Sequence, residues 1–376
     1  MDINALPFDA DAMLEGLRAW VECESPTWDA AAVNRMMDLA ACELACMGAT
    51  IERIPGRMGL GDSVRARFPH PNAGEPGILI LGHLDTVHPV GTLAKLPFRR
   101  DGEICYGPGI CDMKGGNYLT LEAIRQLARA GIATKLPVTI MFTPDEEIGT
   151  PSVRDLIEAE ASRAKVVLVP EPGRDKGGVT SGRYAIARFN IATIGRPSHA
   201  GARLSDGRSA IREMARRIIQ IEEMTTEACT FSVGVIHAGQ WVNCVSSRAD
   251  AEVLTMAKRQ EDLDAGVQKM LSLATSSGDV VFDVRRGVTR PVWEADQRVL
   301  ELCAMAEDFH KQVGLPFYHE SSGGGSDGNF TGAMGIPTLD GLGVEGAMMH
   351  TLQEHIRIET LASRGRVMAG LLATLS

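Results

Sequence analysis

Five side chains that can bind metal ions or move protons directly follow three short apolar segments of the sequence. They are His83, Asp85, Glu146, Glu147 and Glu171. The segments, 77–82, 137–143 and 165–170, have the length and composition of buried strands. Because ligands of open α/β sheets bind in a crevice outside the carboxyl ends of the strands, we expect these side chains to meet there. Asp112, in a glycine-rich loop before a predicted helix, can reach the same crevice.

The crowding of acidic groups favours a bound cation. Asp145, Glu146 and Glu147 are consecutive, and crowded carboxylates in a crevice cannot all stay ionised unless a cation neutralises them. Histidine and carboxylate ligands without a thiolate signature suit zinc, manganese or cobalt. The ligand count exceeds one tetrahedral site, which predicts two ions, about 3.5–4 Å apart, that clamp a hydrolytic water. For any one of these residues, a solvated acid that falls there by chance is a better explanation than a metal ligand. For the whole set, a metal site is the better explanation.

The elements around these residues predict an α/β domain with an insertion. Helical patterns at 117–131 and 152–163 alternate with the apolar segments, which predicts a mostly parallel sheet buried on both faces. From 184 to 287 the order becomes β-α-β-β-α-β, which is that of a ferredoxin-like domain. We therefore predict a catalytic domain formed by 1–183 and 288–376, with an inserted domain at 184–287.

Composition argues against several classes of protein. The 376 residues are enough for two domains, and the formal net charge of −10 argues against a nucleic-acid partner. No apolar run is long enough for a membrane span, and the first residues lack the features of a secretory signal. The eight cysteines show no paired CxxC spacing. Together these features predict a reduced, cytoplasmic protein without nucleic-acid or membrane partners.

Six motifs resemble those of the M20 metallopeptidase family, in the family's order and at about its spacing. They are GHLDTV at 82–87, GPGICDMKGG at 107–116, PDEEIGT at 144–150, EPGR at 171–174, RPSHAG at 196–201 and MHTLQEHI at 349–356. The similarity spans nearly the whole chain. It implies a phosphorylase/hydrolase-like mixed-sheet catalytic domain and a ferredoxin-like inserted domain through which two subunits form a homodimer. The family includes glutamate carboxypeptidases, acetylornithine deacetylases, succinyl-diaminopimelate desuccinylases and aminoacylases.

The resemblance implies five metal ligands for two divalent ions, with zinc as the first choice and manganese or cobalt as alternatives. His83 and Glu171 would each hold one ion, and Asp112 would bridge the two. Glu147 would complete the first site with His83, and His350 would complete the second with Glu171. If His355 were the ligand instead, His350 would be dispensable.

The resemblance also implies which residues move protons. Glu146 would be the general base that deprotonates the attacking water and later protonates the leaving amine. Asp85 would hydrogen-bond the far nitrogen of His83 and fix its tautomer. In the family the peptide bond after the bridging aspartate is often cis, so we predict a cis bond between Asp112 and Met113.

The resemblance further implies how a substrate is bound. His199, in the inserted domain, would reach the active site of the partner subunit and help to stabilise the tetrahedral oxyanion. Asn243 and Arg290 would bind the substrate carboxylate, and Arg suits this role because its planar fork meets a carboxylate bidentately. The backbone of the GGGSDG loop, including Gly325 and Ser326, would line the same pocket.

One position departs from the pattern of the glutamate-releasing members. Those enzymes carry an Arg where this sequence has Met256, and a thioether cannot pair with a glutamate side chain. The sequence therefore predicts a dinuclear metal hydrolase that cleaves the amide bond of an N-acyl amino acid or a small dipeptide-like substrate with a free carboxylate. Two alternatives remain open: hydrolysis of another C–N bond in a non-peptide small molecule, and a catalytically inactive binding protein.

Overall fold

The computed structural model describes residues 1–376, which form two compact units. The first unit comprises Met1–Gly182, Trp293–Ser322 and Ser326–Ser376, and the second comprises Arg183–Val292 and Gly323–Gly325. The boundaries predicted from the sequence differ at the end of the second unit, which extends past 287. This difference arises because the last strand of that unit continues to Arg290.

A six-stranded mixed sheet forms the centre of the first unit. Numbered in chain order, its strands are β1 (Thr50–Ile54), β2 (Ser63–Arg67), β3 (Gly77–His83), β6 (Val138–Thr143), β7 (Ala164–Leu168) and β14 (Thr338–Leu339). They lie in the order β1-β2-β6-β3-β7-β14. The four strands from β6 to β14 are parallel, whereas β1 and β2 pair antiparallel at one edge. The sheet is therefore mixed, with parallel strands at its centre, as predicted; the two antiparallel edge strands were not recognised because they lack the apolar runs that mark the centre.

Helices cover both faces of this sheet. They are α1 (Ala10–Glu22), α2 (Ala30–Cys46), α3 (Gly115–Arg129), α4 (Arg154–Ala161), α7 (Gln297–Gln312), α8 (Gly328–Ala333) and α9 (Glu359–Thr374). Along β3, Ile78 and Ile80 join one apolar cluster while Leu79 and Leu81 join the other. Successive side chains of a strand point to opposite faces, so β3 is buried on both, as predicted. Every helix falls short of the length and hydrophobicity that a membrane span requires.

Short strands build two further sheets that the sequence did not reveal. One sheet is antiparallel in the order β15-β16-β5-β4, and the other pairs β8 with β13. Their bounds are β4 (Arg99–Asp101), β5 (Ile104–Tyr106), β8 (Gly178–Arg183), β13 (Tyr318–Ser322), β15 (Gly346–Ala347) and β16 (His355–Arg357). Most are only two or three residues long, too short to show the alternation by which a strand is recognised.

The second unit has the predicted order β-α-β-β-α-β. Its elements are β9 (Ala185–Ile194), α5 (Ala210–Glu222), β10 (Cys229–Ala238), β11 (Arg248–Ala257), α6 (Gln260–Ser272) and β12 (Val281–Arg290). The four strands form an antiparallel sheet in the order β10-β11-β9-β12. Phe189, Phe231 and Val253 share one apolar cluster with Met214 of α5 and Val267 of α6. This face of the sheet is therefore covered by the two helices.

Candidate metal centre

Three strand ends of the central sheet carry predicted site residues. His83 is the last residue of β3. Glu146 and Glu147 open a single 3-10 turn that begins three residues after the end of β6. Glu171 follows β7 by three residues. Because β3, β6 and β7 are parallel neighbours, their carboxyl ends bring these side chains to one edge of the sheet, as the sequence predicted.

Two loops of the same unit complete the cluster. Asp112 lies in a tight turn before α3, and the peptide bond that joins it to Met113 is cis, as predicted. His350 lies between β15 and β16 and has a positive φ of 65°. His355, the alternative ligand, instead packs its ring against Tyr106 with 5.2 Å between ring centroids. The structure therefore brings His350 to the cluster and keeps His355 in the neighbouring small sheet.

The distances divide the ligands differently from the predicted pairing. Asp112 lies between the two histidines: its Oδ1 is 3.1 Å from His83 Nε2, and its Oδ2 is 3.3 Å from His350 Nε2. His350 Nε2 also lies 3.2 Å from Glu147 Oε2, while His83 Nε2 lies 3.9 Å from Glu171 Oε1. These distances favour His83 with Glu171 at one position and His350 with Glu147 at the other. Asp112 is within 3.3 Å of both histidines.

Asp85 holds two parts of the cluster in place. Its carboxylate accepts the backbone N–H groups of Glu146 at 3.2 Å and of Glu147 at 3.3 Å, as well as the Thr27 hydroxyl at 2.7 Å. His83 Nδ1 lies 3.0 Å from the Asp85 carbonyl and 3.4 Å from its carboxylate. The Asp85 side chain is therefore shared between the His83 ring and the turn that carries both glutamates. Only its contact with the ring was expected from the sequence.

The pKa values of the cluster are shifted by burial and by the crowding of its carboxylates. Burial, followed by the charge of Asp112, raises the pKa of Glu147 to about 8 and raises the pKa of Glu171 well above its usual range. Hydrogen bonds to Asp112 and Glu147 raise the pKa of His350 to about 11. Burial alone would lower the pKa of His83, but hydrogen bonds to Asp112 and Asp85 outweigh it and raise that pKa. The imidazoles thus take up protons to balance the carboxylates.

The donor set fits divalent metal ions. His83, Asp112 and Glu147 offer ligand atoms within 4.8 Å of one another, and so do His83, Glu146 and Glu171. Imidazole nitrogens and carboxylate oxygens without thiolates suit zinc, manganese and cobalt. A divalent ion supplies the positive charge that protonated imidazoles otherwise provide.

Asp145, the third acid of the PDEE motif, shapes the turn. Its Oδ2 accepts the Ser152 N–H at 2.7 Å, and its carbonyl accepts the Thr150 N–H at 2.8 Å. Asp145 is fully buried. Asp327 supports the same turn by accepting hydrogen bonds from the hydroxyls of Thr143 and Thr150. The three adjacent acids therefore have separate environments, and one of them belongs to the scaffold.

Two of the predicted substrate-binding residues lie together in the second unit. His199 and Asn243 are exposed, and the Ala200 N–H donates to the Asn243 carbonyl at 2.9 Å. His199 Nδ1 accepts the N–H groups of Gly201 and Ala202 at 3.1 and 3.0 Å. When Nδ1 is an acceptor, the proton of a neutral imidazole is on Nε2. His199 therefore presents a hydrogen-bond donor beyond its own loop.

Arg290 and Gly325 also meet in the second unit. A Cβ added at Gly325 would lie 2.8 Å from Arg290 Cδ and 2.9 Å from Ile186 Cδ1, so a larger residue here would displace one of these side chains. Ser326 is placed differently. It is fully buried in the first unit, its hydroxyl donates to Asp340 at 2.6 Å, and its backbone N–H donates to the Asn329 side chain at 3.0 Å. These bonds anchor the loop from within.

A comparison with protein families matches residues 79–374 to the model for peptidase family M20/M25/M40. The chain belongs to this family. Carboxypeptidase G2 of Pseudomonas sp. strain RS-16 is 30% identical over 376 aligned residues, which cover 97% of this chain and 89% of that protein. The succinyl-diaminopimelate desuccinylase of Thioalkalivibrio sulfidiphilus is 26% identical, covering 80% and 84%. The chain is thus a metallopeptidase-family hydrolase.

The fold agrees with solved structures of the M20 family. A metallo-carboxypeptidase of this family from Sulfolobus solfataricus matches with a TM-score of 0.78 at 16% identity, over 96% of this chain and 98% of that chain. At this identity the likeness establishes the fold alone. The M20 fold therefore accounts for both units of the chain.

The sequence motifs alone did not identify the residues that hold the loops of this cluster. Glu354 is buried and accepts hydrogen bonds from the loop that carries Asp112 and from His88. Asn117 donates from its side chain to the His83 carbonyl at 2.7 Å. One signal was available: Glu354 lies in the same motif as His350, two residues before the apolar Ile356.

Proposed function

We propose that this protein is a dinuclear metal hydrolase that cleaves the amide bond of an N-acyl amino acid or a small dipeptide-like substrate. The observation that carries the proposal is the convergence of five N and O ligands with Glu146 at one sheet edge. Two divalent ions, zinc by preference and otherwise manganese or cobalt, would polarise the scissile carbonyl and activate a water. His83 and Glu171 would hold one ion, and His350 and Glu147 would hold the other. Asp112 would contribute to both sites.

Glu146 is the proposed general base. Its carboxylate lies within 4.8 Å of ligand atoms of His83 and Glu171, and its backbone is fixed by Asp85. A carboxylate in this position can take a proton from the attacking water and deliver it to the leaving nitrogen. Glu147, in contrast, is a proposed metal ligand, and its Oε2 lies 3.2 Å from His350 Nε2.

The second unit would bind the substrate and stabilise the oxyanion that forms during hydrolysis. The Nε2–H of His199 is a donor of the kind that stabilises an oxyanion, and Asn243 lies beside it. Arg290, packed against Gly325, would bind the free carboxylate of the substrate through its planar fork.

The side chain next to that carboxylate is proposed to be apolar. Met256 pairs with Ile186 across β11 and β9, and Ile186 pairs with Arg290 across β9 and β12. Directly opposed residues of antiparallel strands point to the same face, so these three form one row. Neither Met256 nor Ile186 offers a charge to a glutamate side chain. We therefore expect leaving amino acids with apolar side chains to be preferred over glutamate.

A screen of substrates tests this function directly. The purified protein, supplied with zinc, manganese or cobalt, is offered N-acyl amino acids and dipeptides that differ in the leaving amino acid. We expect metal-dependent release of amino acids that is abolished by a chelator. Inactivity on the whole panel, together with turnover of a ureido or another non-peptide C–N bond, would instead support the alternative hydrolase. Ligand binding that survives chelation, without turnover, would support a binding protein.

A homodimer through the second unit is also part of the proposal. β10 pairs with β11 on one side only, and its residues from Gly234 to Ala238 are all exposed. Val235 is 37% exposed and Ile236 is 50% exposed. An exposed apolar edge strand is a ready template for pairing with another strand. Light scattering should give twice the chain mass for the wild type and the chain mass for Ile236→Lys, and a monomeric wild type would contradict the proposal. A cytoplasmic location stays a prediction from the sequence.

A further inference from the structure

A buried carboxylate outside the predicted ligand set organises the loops of the metal centre. Glu354 is 1% exposed and has four hydrogen-bond donors around it. Its Oε1 accepts the N–H groups of Cys111 at 2.9 Å and Asp112 at 3.0 Å. Its Oε2 accepts the Gly109 N–H at 3.0 Å and contacts His88 Nε2 at 2.7 Å. Each oxygen thus uses both of its lone pairs, which leaves none for a metal ion.

The position of Glu354 in the chain gives these bonds their significance. It lies four residues after His350, in the same loop, and it binds the backbone of Asp112 itself. Through His88 it reaches the segment that follows His83. One side chain therefore joins the three segments that supply His83, Asp112 and His350. The bond between the Gly107 N–H and the Glu354 carbonyl, at 3.3 Å, adds a backbone link between two of them.

The turn around Asp112 needs an anion on its inner side. The amides of Gly109, Cys111 and Asp112 all point at Glu354. Gly109 has a left-handed backbone with φ of 68°. Successive amides that converge in this way form an anion-binding concavity. The carboxylate occupies it, so the direction of the Asp112 backbone depends on Glu354.

We propose that Glu354, with His88 behind it, is a positioning residue that sets the affinity and geometry of the metal centre by fixing the Asp112 loop. The inference rests on the metal centre of the proposed function. Groups that orient ligands from behind typically contribute a factor of about 10–100 in metal affinity or activity. No part of the role requires Glu354 to touch a metal ion or the substrate.

The test is a titration of the apoprotein with Co²⁺. Calorimetry measures the affinity, and visible absorption reports the geometry around the bound cobalt. Glu354→Gln keeps the shape of the side chain but presents an NH₂ group to backbone donors. We expect cobalt to bind about 10–100-fold more weakly, with an altered absorption spectrum, in a protein that keeps its circular dichroism. The matched control is Glu160→Gln, because Glu160 is also buried and is held by Arg65 and Arg67 away from the cluster. This control should lose stability but keep wild-type cobalt affinity and spectrum.

A second pair of variants covers the case in which Glu354→Gln does not fold. His88→Phe keeps an aromatic ring but removes the donor to Glu354, whereas His88→Gln keeps a donor. We expect His88→Phe to weaken cobalt binding several-fold and His88→Gln to restore part of the loss. Wild-type affinity and spectrum in Glu354→Gln, or in His88→Phe if the former does not fold, would overturn the inference. A wild-type protein that binds no cobalt would instead overturn the proposed function, and the inference would fall with it.

Discussion

The metal centre of the first unit and the His199 loop of the second unit are held in different ways. Around the metal centre, Asp85 and Glu354 are buried carboxylates that together accept five backbone N–H groups from the loops carrying the ligands. His199 and Asn243 are exposed: His199 Nδ1 accepts two amides of its own loop, and the Asn243 carbonyl accepts the Ala200 N–H. The first region is thus held by buried side-chain carboxylates, and the second by bonds within and between exposed loops.

We relate this difference to the proposed roles of the two regions, hydrolysis in the first unit and substrate recognition in the second. A hydrolytic centre needs its ligands in one geometry, so the sequence must supply several supporting polar groups. A recognition surface needs fewer such constraints. Variants of the first region should therefore affect metal content and turnover, while variants of the second should affect turnover or substrate choice with the metals still bound.

The largest effect is expected at the general base. Glu146→Ala should lower kcat by about 10²–10⁴-fold, because a positioned proton carrier contributes this much to catalysis. Both metal ions should remain bound, since the five proposed ligands are intact. Stopped assays of amide hydrolysis and elemental analysis of the same preparation check the two statements. Near-normal turnover in this variant would show that another group moves the proton.

A smaller but still large effect separates the two histidines of the last motif. His350→Ala should weaken the binding of one of two ions by more than about 100-fold, beyond the loss typical of a supporting residue. His355→Ala is the matched control and should bind both ions, because His355 Nδ1 bonds to the Gln353 carbonyl at 2.8 Å. Metal titration by calorimetry measures both. Equal losses in the two variants would contradict the division of roles.

The exposed loop of the second unit should affect turnover without affecting metal content. In His199→Asn the side-chain oxygen can still accept the amides of Gly201 and Ala202, but the Nε2–H donor is lost. We expect kcat to fall by about 10²-fold, as for removal of one oxyanion donor, with little change in KM. Steady-state kinetics test this, with light scattering to verify that the oligomeric state is unchanged. An unaltered kcat would remove His199 from the proposed mechanism.

The sequence predicted the candidate metal ligands better than the residues that hold the loops carrying them. His83, Glu147 and Glu171 could be located because apolar strands of the sheet end just before them, and parallel strands deliver their ends to one edge. The cis bond at Asp112 and the β-α-β-β-α-β order of the second unit were also anticipated. These features are encoded locally, in motifs and in the period of the apolar residues.

What the sequence did not reveal depends on contacts between distant residues. Glu354 meets the Asp112 loop across 242 positions of the chain, and a lone acid in a motif does not show its partners. The proximity of His350 to Glu147, with 3.2 Å between Nε2 and Oε2, depends on the path of a loop, for which no periodic signal exists. The burial of Ser326 and its bonds to Asn329 and Asp340 are likewise not visible in its motif, and the role of its loop in lining the pocket stays a prediction.

The smallest expected effect is a change of substrate preference. Met256→Arg places a cation in the row formed by Met256, Ile186 and Arg290, two strand spacings or about 10 Å from Arg290 along the sheet. We expect kcat/KM for a C-terminal glutamate to rise about 10-fold relative to leucine, because a charged partner replaces a thioether. Leu254→Arg is the matched control: it adds the same charge on the same strand, opposite Arg188 instead of Ile186. If both variants shift the preference equally, net charge and not the Met256 position decides it; if neither does, this row does not contact the leaving amino acid.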